Sequence, residues 1–114
     1  MRIYIAHTYG KRHGLSLREY EANTYSSIRY GIGVINKGHN PFIPNLYHFV
    51  SEEAGGNIAE SRWLEFVTEW LRFCDALFVA TKPPWQGSGV QAEIDIAMAM
   101  GIPIYWSIEE IPDI

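Results

Sequence analysis

Ala76-Leu77-Phe78-Val79-Ala80 is apolar without interruption, and it follows a segment, residues 58–74, whose apolar side chains return every three or four positions. A run of five such residues is the length of a strand, and the lack of alternation means both of its faces are covered. In the preceding segment Trp63, Phe66, Val67, Trp70, Leu71 and Cys74 fall on one stripe, the pattern of an amphipathic helix. A covered strand following such a helix belongs in a sheet with helices on both sides.

The same alternation extends in both directions. Residues 2–6 read as a first strand, followed by a polar, Gly-bearing stretch at 7–14. Residues 17–37 are helical in pattern; Gly31 and Gly33 weaken the second half, and Gly38 supplies a stop. Residues 39–44 read as a short strand, and Pro41 and Pro44 remove ladder donors and place it at a sheet edge. Residues 45–57 form a loop broken by Gly55-Gly56, with His39 capping the strand before it. After a loop at 81–87 containing Pro83-Pro84, a helix spans 89–100, Gly101 ends it, and 102–106 supply a fourth strand. Residues 108–114 carry no strong pattern, and the Glu109-Glu110 pair reads as a solvated turn. The expected fold is α/β: a three-layer, doubly wound parallel sheet, flavodoxin- or Rossmann-like, in the order 2-1-3-4. Such sheets bind ligands beyond the carboxyl ends of their strands, where strands 1 and 3 diverge. That rule gathers the loops at 7–14, 45–57 and 81–88.

The chain has 114 residues, the size of one domain spanning 1–114. Its 47% hydrophobic and 19% charged content is that of a globular protein. The net charge of −4, with Lys11-Arg12-His13 as the longest basic run, excludes a nucleic-acid polymer as partner. One cysteine, Cys74, allows no internal disulfide and fits a reducing cytoplasm; it has no nearby base that would make it a nucleophile. No signal-peptide core and no apolar run of about 18 residues are present, so no membrane partner is expected and the localisation reads as cytoplasmic. The four histidines show no metal-ligand spacing, so no metal and no cofactor are expected.

Chemistry concentrates at Gly87-Ser88-Gly89-Val90-Gln91-Ala92-Glu93. Ser88 with Gln91 fits a capping box, and Gly87 and Gly89 let the backbone approach a ligand at a helix N-terminus. Glu93 lies one turn in, between Gly89 and Ala97 at four residues on either side, which leaves room for a substrate. At the rim of the crevice, near the positive helix end, its carboxylate is expected to stay ionised at neutral pH, as a nucleophile must. The plainer reading, a glutamate that complements the helix dipole, stands beside it.

Met-Arg-Ile-Tyr-Ile-Ala at 1–6, Cys74-Asp75-Ala76-Leu77-Phe78-Val79, Gly89-x-x-x-Glu93 and Gly101-x-Pro103-x-Tyr105 resemble, in order and spacing, the nucleoside 2-deoxyribosyltransferase superfamily and the related deoxynucleotide N-hydrolases. His7, Tyr9-Gly10, Gly38-His39 and Pro41-x-x-Pro44 are similar to a small-protein branch of it. The resemblance covers nearly the whole chain. It implies that Glu93 attacks the anomeric carbon of a deoxyribosyl group and that Tyr4 orients its carboxylate. It also implies a retaining displacement through a glycosyl-enzyme, with a nucleoside or nucleotide as the small-molecule partner and a homo-oligomer, a dimer, as the assembly. His7, Tyr9, Asn45, Gly87, Ser88 and Gly89 are then the substrate-binding candidates, with Tyr47 and Trp85 available to stack on a base, while Trp63 and Trp70 read as core or interface. Two departures stand out. Val67 occupies the position of the family's proton-donating Asp, with Glu65 and Glu69 close in sequence, and the family's serine six residues before the glutamate is replaced by Gly87, with Ser88 one place later. Loss of such an acid costs about 10²–10⁴-fold in rate unless His7 or His48 substitutes. A nucleotide-binding or sensing domain without efficient chemistry is the alternative.

Overall fold

The alternation of strand and helix patterns closes into one four-stranded parallel sheet in the computed structural model, which describes residues 1–9, 16–83 and 89–114. β1 (Arg2–Ala6) pairs on one side with β2 (Asn40–Phe42) and on the other with β3 (Ala76–Val79), whose far edge carries β4 (Ile104–Tyr105). The order is β2-β1-β3-β4, as the alternation predicts. Asp75 pins the start of the β1–β3 ladder, accepting from the Arg2 backbone N–H at 2.8 Å and meeting its guanidinium at 3.4 Å.

Side-chain alternation along the strands separates two core layers. Ile3, Ile5, Ala76 and Phe78 face α1 (Leu17–Asn36) and the C-terminal segment, where Val34, Ile108 and Ile111 meet them. Tyr4, Ala6, Leu77 and Val79 face the opposite side. There Leu71 of α3 (Glu60–Leu71), Cys74, and Val90, Ile94 and Ala97 of α4 (Gly89–Met100) complete the packing. Burying each large apolar side chain contributes about 1.5–3 kcal/mol. A one-residue slip of β1 would move Tyr4 to the α1 layer, so this burial also fixes which helices the tyrosine meets.

α1 begins with a reciprocal cap that the sequence pattern had not marked. Ser16 Oγ accepts from the Glu19 N–H at 3.3 Å, and Glu19 Oε1 accepts from the Ser16 N–H at 3.2 Å. The helix runs unbroken through both glycines because Gly31 seats it directly against Ile43 and Ile5, and that packing outweighs a propensity cost of about 1 kcal/mol. It stops at Gly38 (φ +92°), where Gly38 N–H bonds Ile35 O at 2.9 Å and His39 N–H bonds Val34 O at 3.2 Å.

Three expectations need correction. Residues 45–57 are not a plain loop: one 3₁₀ turn at Pro44–Leu46 leads into α2 (Tyr47–Glu53), a helix too short to imprint a periodicity. The residues after β4 are ordered by packing, with a 3₁₀ turn at Ile108–Glu110, Ile111 buried, and the Ile114 N–H bonded to Lys37 O at 3.0 Å. Finally, His39 does not cap β2. It is buried, with Nδ1 accepting from the Met1 amino group at 2.9 Å and Nε2 donating to Pro112 O at 2.6 Å, so it ties the two ends of the chain together. Among the described residues, no helix is long and apolar enough to cross a membrane.

Candidate functional site

β1 and β3 end side by side, and the chain leaves them in opposite directions, so a hollow opens above their carboxyl ends. A cavity of about 160 Å³ fills it. Its floor is Tyr4 and Glu93. One wall is the segment after β1 (His7, Thr8, Tyr9), another the turn and helix at 44–51, and a third the face of α3 that carries Glu60, Trp63, Leu64 and Val67. That α3 face follows the spacing of three, four and seven residues that puts side chains on one side of a helix. A dry cavity of about this size holds benzene, so the hollow has room for a heterocycle, with more space at its open mouth.

Glu93 is 6% exposed and sits in the same layer as Tyr4. Burial pushes its carboxyl up from 4.5 to about 8, and the Tyr4 phenol, directed at it, opposes the rise. Tyr4 is held well above its ordinary value of 10, first by burial and then by the Glu93 carboxylate, so it stays a neutral donor. The contact is a close approach outside good hydrogen-bond geometry, and among the described residues Tyr4 Oη has no full hydrogen-bond partner. The expectation that Glu93 stays ionised at pH 7 is therefore overturned. The side chain lies inside the hollow, not at its rim, and desolvation outweighs a helix end that is worth about 0.3–1 kcal/mol.

The other candidates divide by what they touch. His7 lines the cavity, but both ring nitrogens are engaged: Nδ1 meets Thr8 O at 2.8 Å and Nε2 meets Ser26 Oγ at 3.0 Å. A carbonyl only accepts, so Nδ1 carries the proton and Nε2 accepts from the serine. Burial lowers the pKa of His7 and favours the neutral ring. Tyr9 lines the cavity with its hydroxyl 2.7 Å from His48 Nδ1 and its ring stacked on Tyr20. Asn45 is buried and donates to Thr8 O at 3.2 Å, so its amide ties the wall segments to each other. Gly89 lines the hollow, and a methyl group added there would meet nothing within 4 Å. Gly87, Ser88, Trp85, Gly10 and the Lys11-Arg12-His13 run lie outside the described residues. Gln91, offered as the capping partner of Ser88, sends its amide to Asp95 Oδ1 at 3.0 Å.

No protein-family model matches the chain, and no curated protein matches it.

Val67 borders the cavity, so that position faces the hollow with a side chain that carries no proton. Glu65 and Glu69 point away and are exposed, Glu65 beside Arg62 at 3.7 Å. Cys74 donates to Trp70 O at 3.5 Å, and burial pushes its thiol up to about 11, which leaves it unreactive. Trp63, read from sequence as core or interface, is a wall residue with its ring 6.0 Å from Tyr47 and 5.0 Å from Phe66. The signal was present: Trp63 and Val67 are four apart on one helix face, and the helix lies over the end of the sheet. Trp70 stacks on Phe42 at 5.7 Å and is half exposed.

Proposed function

We propose that the chain cleaves or transfers the N-glycosidic bond of a (deoxy)nucleoside or nucleotide, with Glu93 as nucleophile and Tyr4 as the residue that orients it. One observation carries this reading: a buried carboxyl and a buried phenol without a full partner face each other at the floor of an aromatic-walled hollow. The resemblance in the order of motifs agrees with it. In the reaction, a Glu93 carboxylate oxygen forms a bond to the anomeric carbon as the bond to the base nitrogen breaks, and that electron pair leaves with the base. Water, or a second base, then attacks the same carbon and releases Glu93. The positive charge that grows on the sugar ring favours the ionised carboxylate, so binding and reaction draw Glu93 toward its active form. Trp63 and Tyr47 are the surfaces for the base.

A second reading, a nucleotide-binding or sensing domain, is favoured by two observations. Val67 faces the hollow where an acid is needed, and burial raises the Glu93 carboxyl to about 8, which favours its protonated form at pH 7. Incubation with deoxynucleosides and their monophosphates, followed by chromatography for free base, separates the two. Release that disappears in Glu93→Ala and survives in Glu109→Ala supports catalysis. Absence of release together with a ligand-induced rise in Tm supports the sensor. We also propose a homodimer, because exposed Leu46 and Val50 meet Pro41 and Phe42 in a shallow apolar recess at the open edge of β2, where half-exposed Trp70 stacks on Phe42.

A further inference from the structure

Beside Tyr9, on the cavity wall that His48 shares, lies a cluster to which the glycosyl step above assigns no part. Glu21 of α1 and His48 and Glu52 of α2 bring two carboxylate oxygens and a ring nitrogen within 4.8 Å of one another. Sequence reading found no metal spacing among the histidines, yet His48 and Glu52 are four apart and face the same way on α2, and Glu21 joins them only through the tertiary fold. Among the described residues, no lysine or arginine pairs with either glutamate.

The decisive atom is His48 Nε2. The residue is 3% exposed, and this nitrogen has no hydrogen-bond partner, although Glu52 Oε1 lies only 3.1 Å away. The oxygen is close but off the nitrogen's axis. Of the ring's protonation states, the imidazolium sets an Nε2–H toward Glu52 but off the axis of a good bond, and two neutral patterns remain. If the Tyr9 hydroxyl donates to Nδ1, an Nε2–H is left buried without an acceptor, a cost of about 1–3 kcal/mol. If Nδ1–H instead donates to Tyr9 Oη at 2.7 Å, the Nε2 lone pair faces a carboxylate, two electron-rich atoms with nothing positive between them.

A cation resolves the second pattern. Bonds of about 2.0–2.2 Å to a shared ion set neighbouring ligand atoms roughly 3 Å apart, with each well off the other's lone-pair axis. A metal-binding histidine characteristically has its second ring nitrogen held by a hydrogen bond, the place Tyr9 occupies here. We propose that Glu21, His48 and Glu52 bind one divalent first-row transition cation of the Zn²⁺ type, which bridges α1 and α2 beside the cavity. One imidazole with two carboxylates suits that class, since the imidazole disfavours Mg²⁺ and Ca²⁺. The site stands whether or not the chain acts on glycosidic bonds.

The test is calorimetric titration of the full chain at pH 7.5 with Zn²⁺, and with Co²⁺ while visible absorption is recorded. One ion per chain, a Co²⁺ d–d band and a Tm raised by Zn²⁺ are expected. Glu21→Gln and Glu52→Gln, both at partly or fully exposed positions, each weaken binding by at least about 10-fold. Glu65→Gln, on α3, binds as the wild type does. His48→Ala abolishes binding where circular dichroism shows it folded, and the two glutamine variants decide the matter where it does not fold. Failure to bind a single equivalent, or binding that neither glutamine variant weakens, overturns the proposal.

Discussion

Replacing Glu93 by glutamine tests the physical basis of the site without any substrate. Glutamine keeps the size of the side chain and removes its ionisation. In the folded chain the carboxyl titrates near 8, against 4.5 when solvated. The folded state therefore holds a proton that the unfolded chain releases, and the stability this group contributes is full below pH 4.5 and lost as pH rises through about 8. At about 1.4 kcal/mol per pH unit, a rise from 4.5 to about 8 amounts to about 5 kcal/mol, a large share of the 5–15 kcal/mol typical of a whole domain. Urea unfolding of both proteins from pH 5 to pH 9 measures it. Taking the difference between wild type and Glu93→Gln at each pH cancels every other titrating group. That difference should move in favour of the variant by about 4 kcal/mol between pH 5 and pH 9, the remainder being lost already below pH 5, which is a shift of about 1.3–4 M in relative urea midpoint for slopes of about 1–3 kcal/mol/M. A difference that stays constant over this range would show that the carboxyl is solvated in the native state, and the account of the cavity floor would fail with it.

Four further outcomes are expected. In a base-release assay, wild-type kcat/KM rises as pH passes about 8, and Tyr4→Phe moves that rise to higher pH because the phenol no longer holds the Glu93 carboxyl down; urea unfolding should show a stability change under about 1 kcal/mol, since no full hydrogen bond is lost. Val67→Asp, which places an acid on the cavity wall, should raise base release by about 10²-fold or more, read by chromatography. Trp63→Ala should weaken nucleoside binding about 5- to 150-fold in calorimetry, the worth of about 1–3 kcal/mol of stacking, with thermal unfolding confirming that the variant is folded. In sedimentation velocity the chain should run as a dimer, and Val50→Glu should release monomer.

Most of the fold was written in periodicity. Ala76–Val79 and residues 3–6 of β1 declare themselves because strand positions buried on both faces hold few polar groups, and the α3 stripe must return every three or four residues to reach the sheet. What sequence reading lost was set by tertiary context. Gly31 looked like a weakness because propensity is local, whereas its value is the close seat it gives α1 over Ile43. Tyr47–Glu53 hid behind Pro44 and Gly55-Gly56, since two turns of helix are too few to show a period. For the site, Glu93 was marked by its place in the helix and Tyr4 only by the resemblance in motif order, and both line the cavity. The charge state of Glu93 was misjudged because burial depth is not a property of a helix position. Trp63 was read as core or interface because a stripe gives a face and not what that face meets.

The hollow is built from stretches around residues 4–9, 44–51, 60–67 and 89–93, so hardly any element can open without dismantling a wall. An occupant would thus be felt far from where it binds. Amide hydrogen exchange should slow across the entire β-sheet and both flanking layers, not merely in one gating segment, and affinity and global unfolding should rise or fall together. For a scaffold of this size, recognition of a small molecule and cooperative integrity are then a single property, and substitutions that soften the distant α1 side of the sheet will weaken the grip on its opposite face.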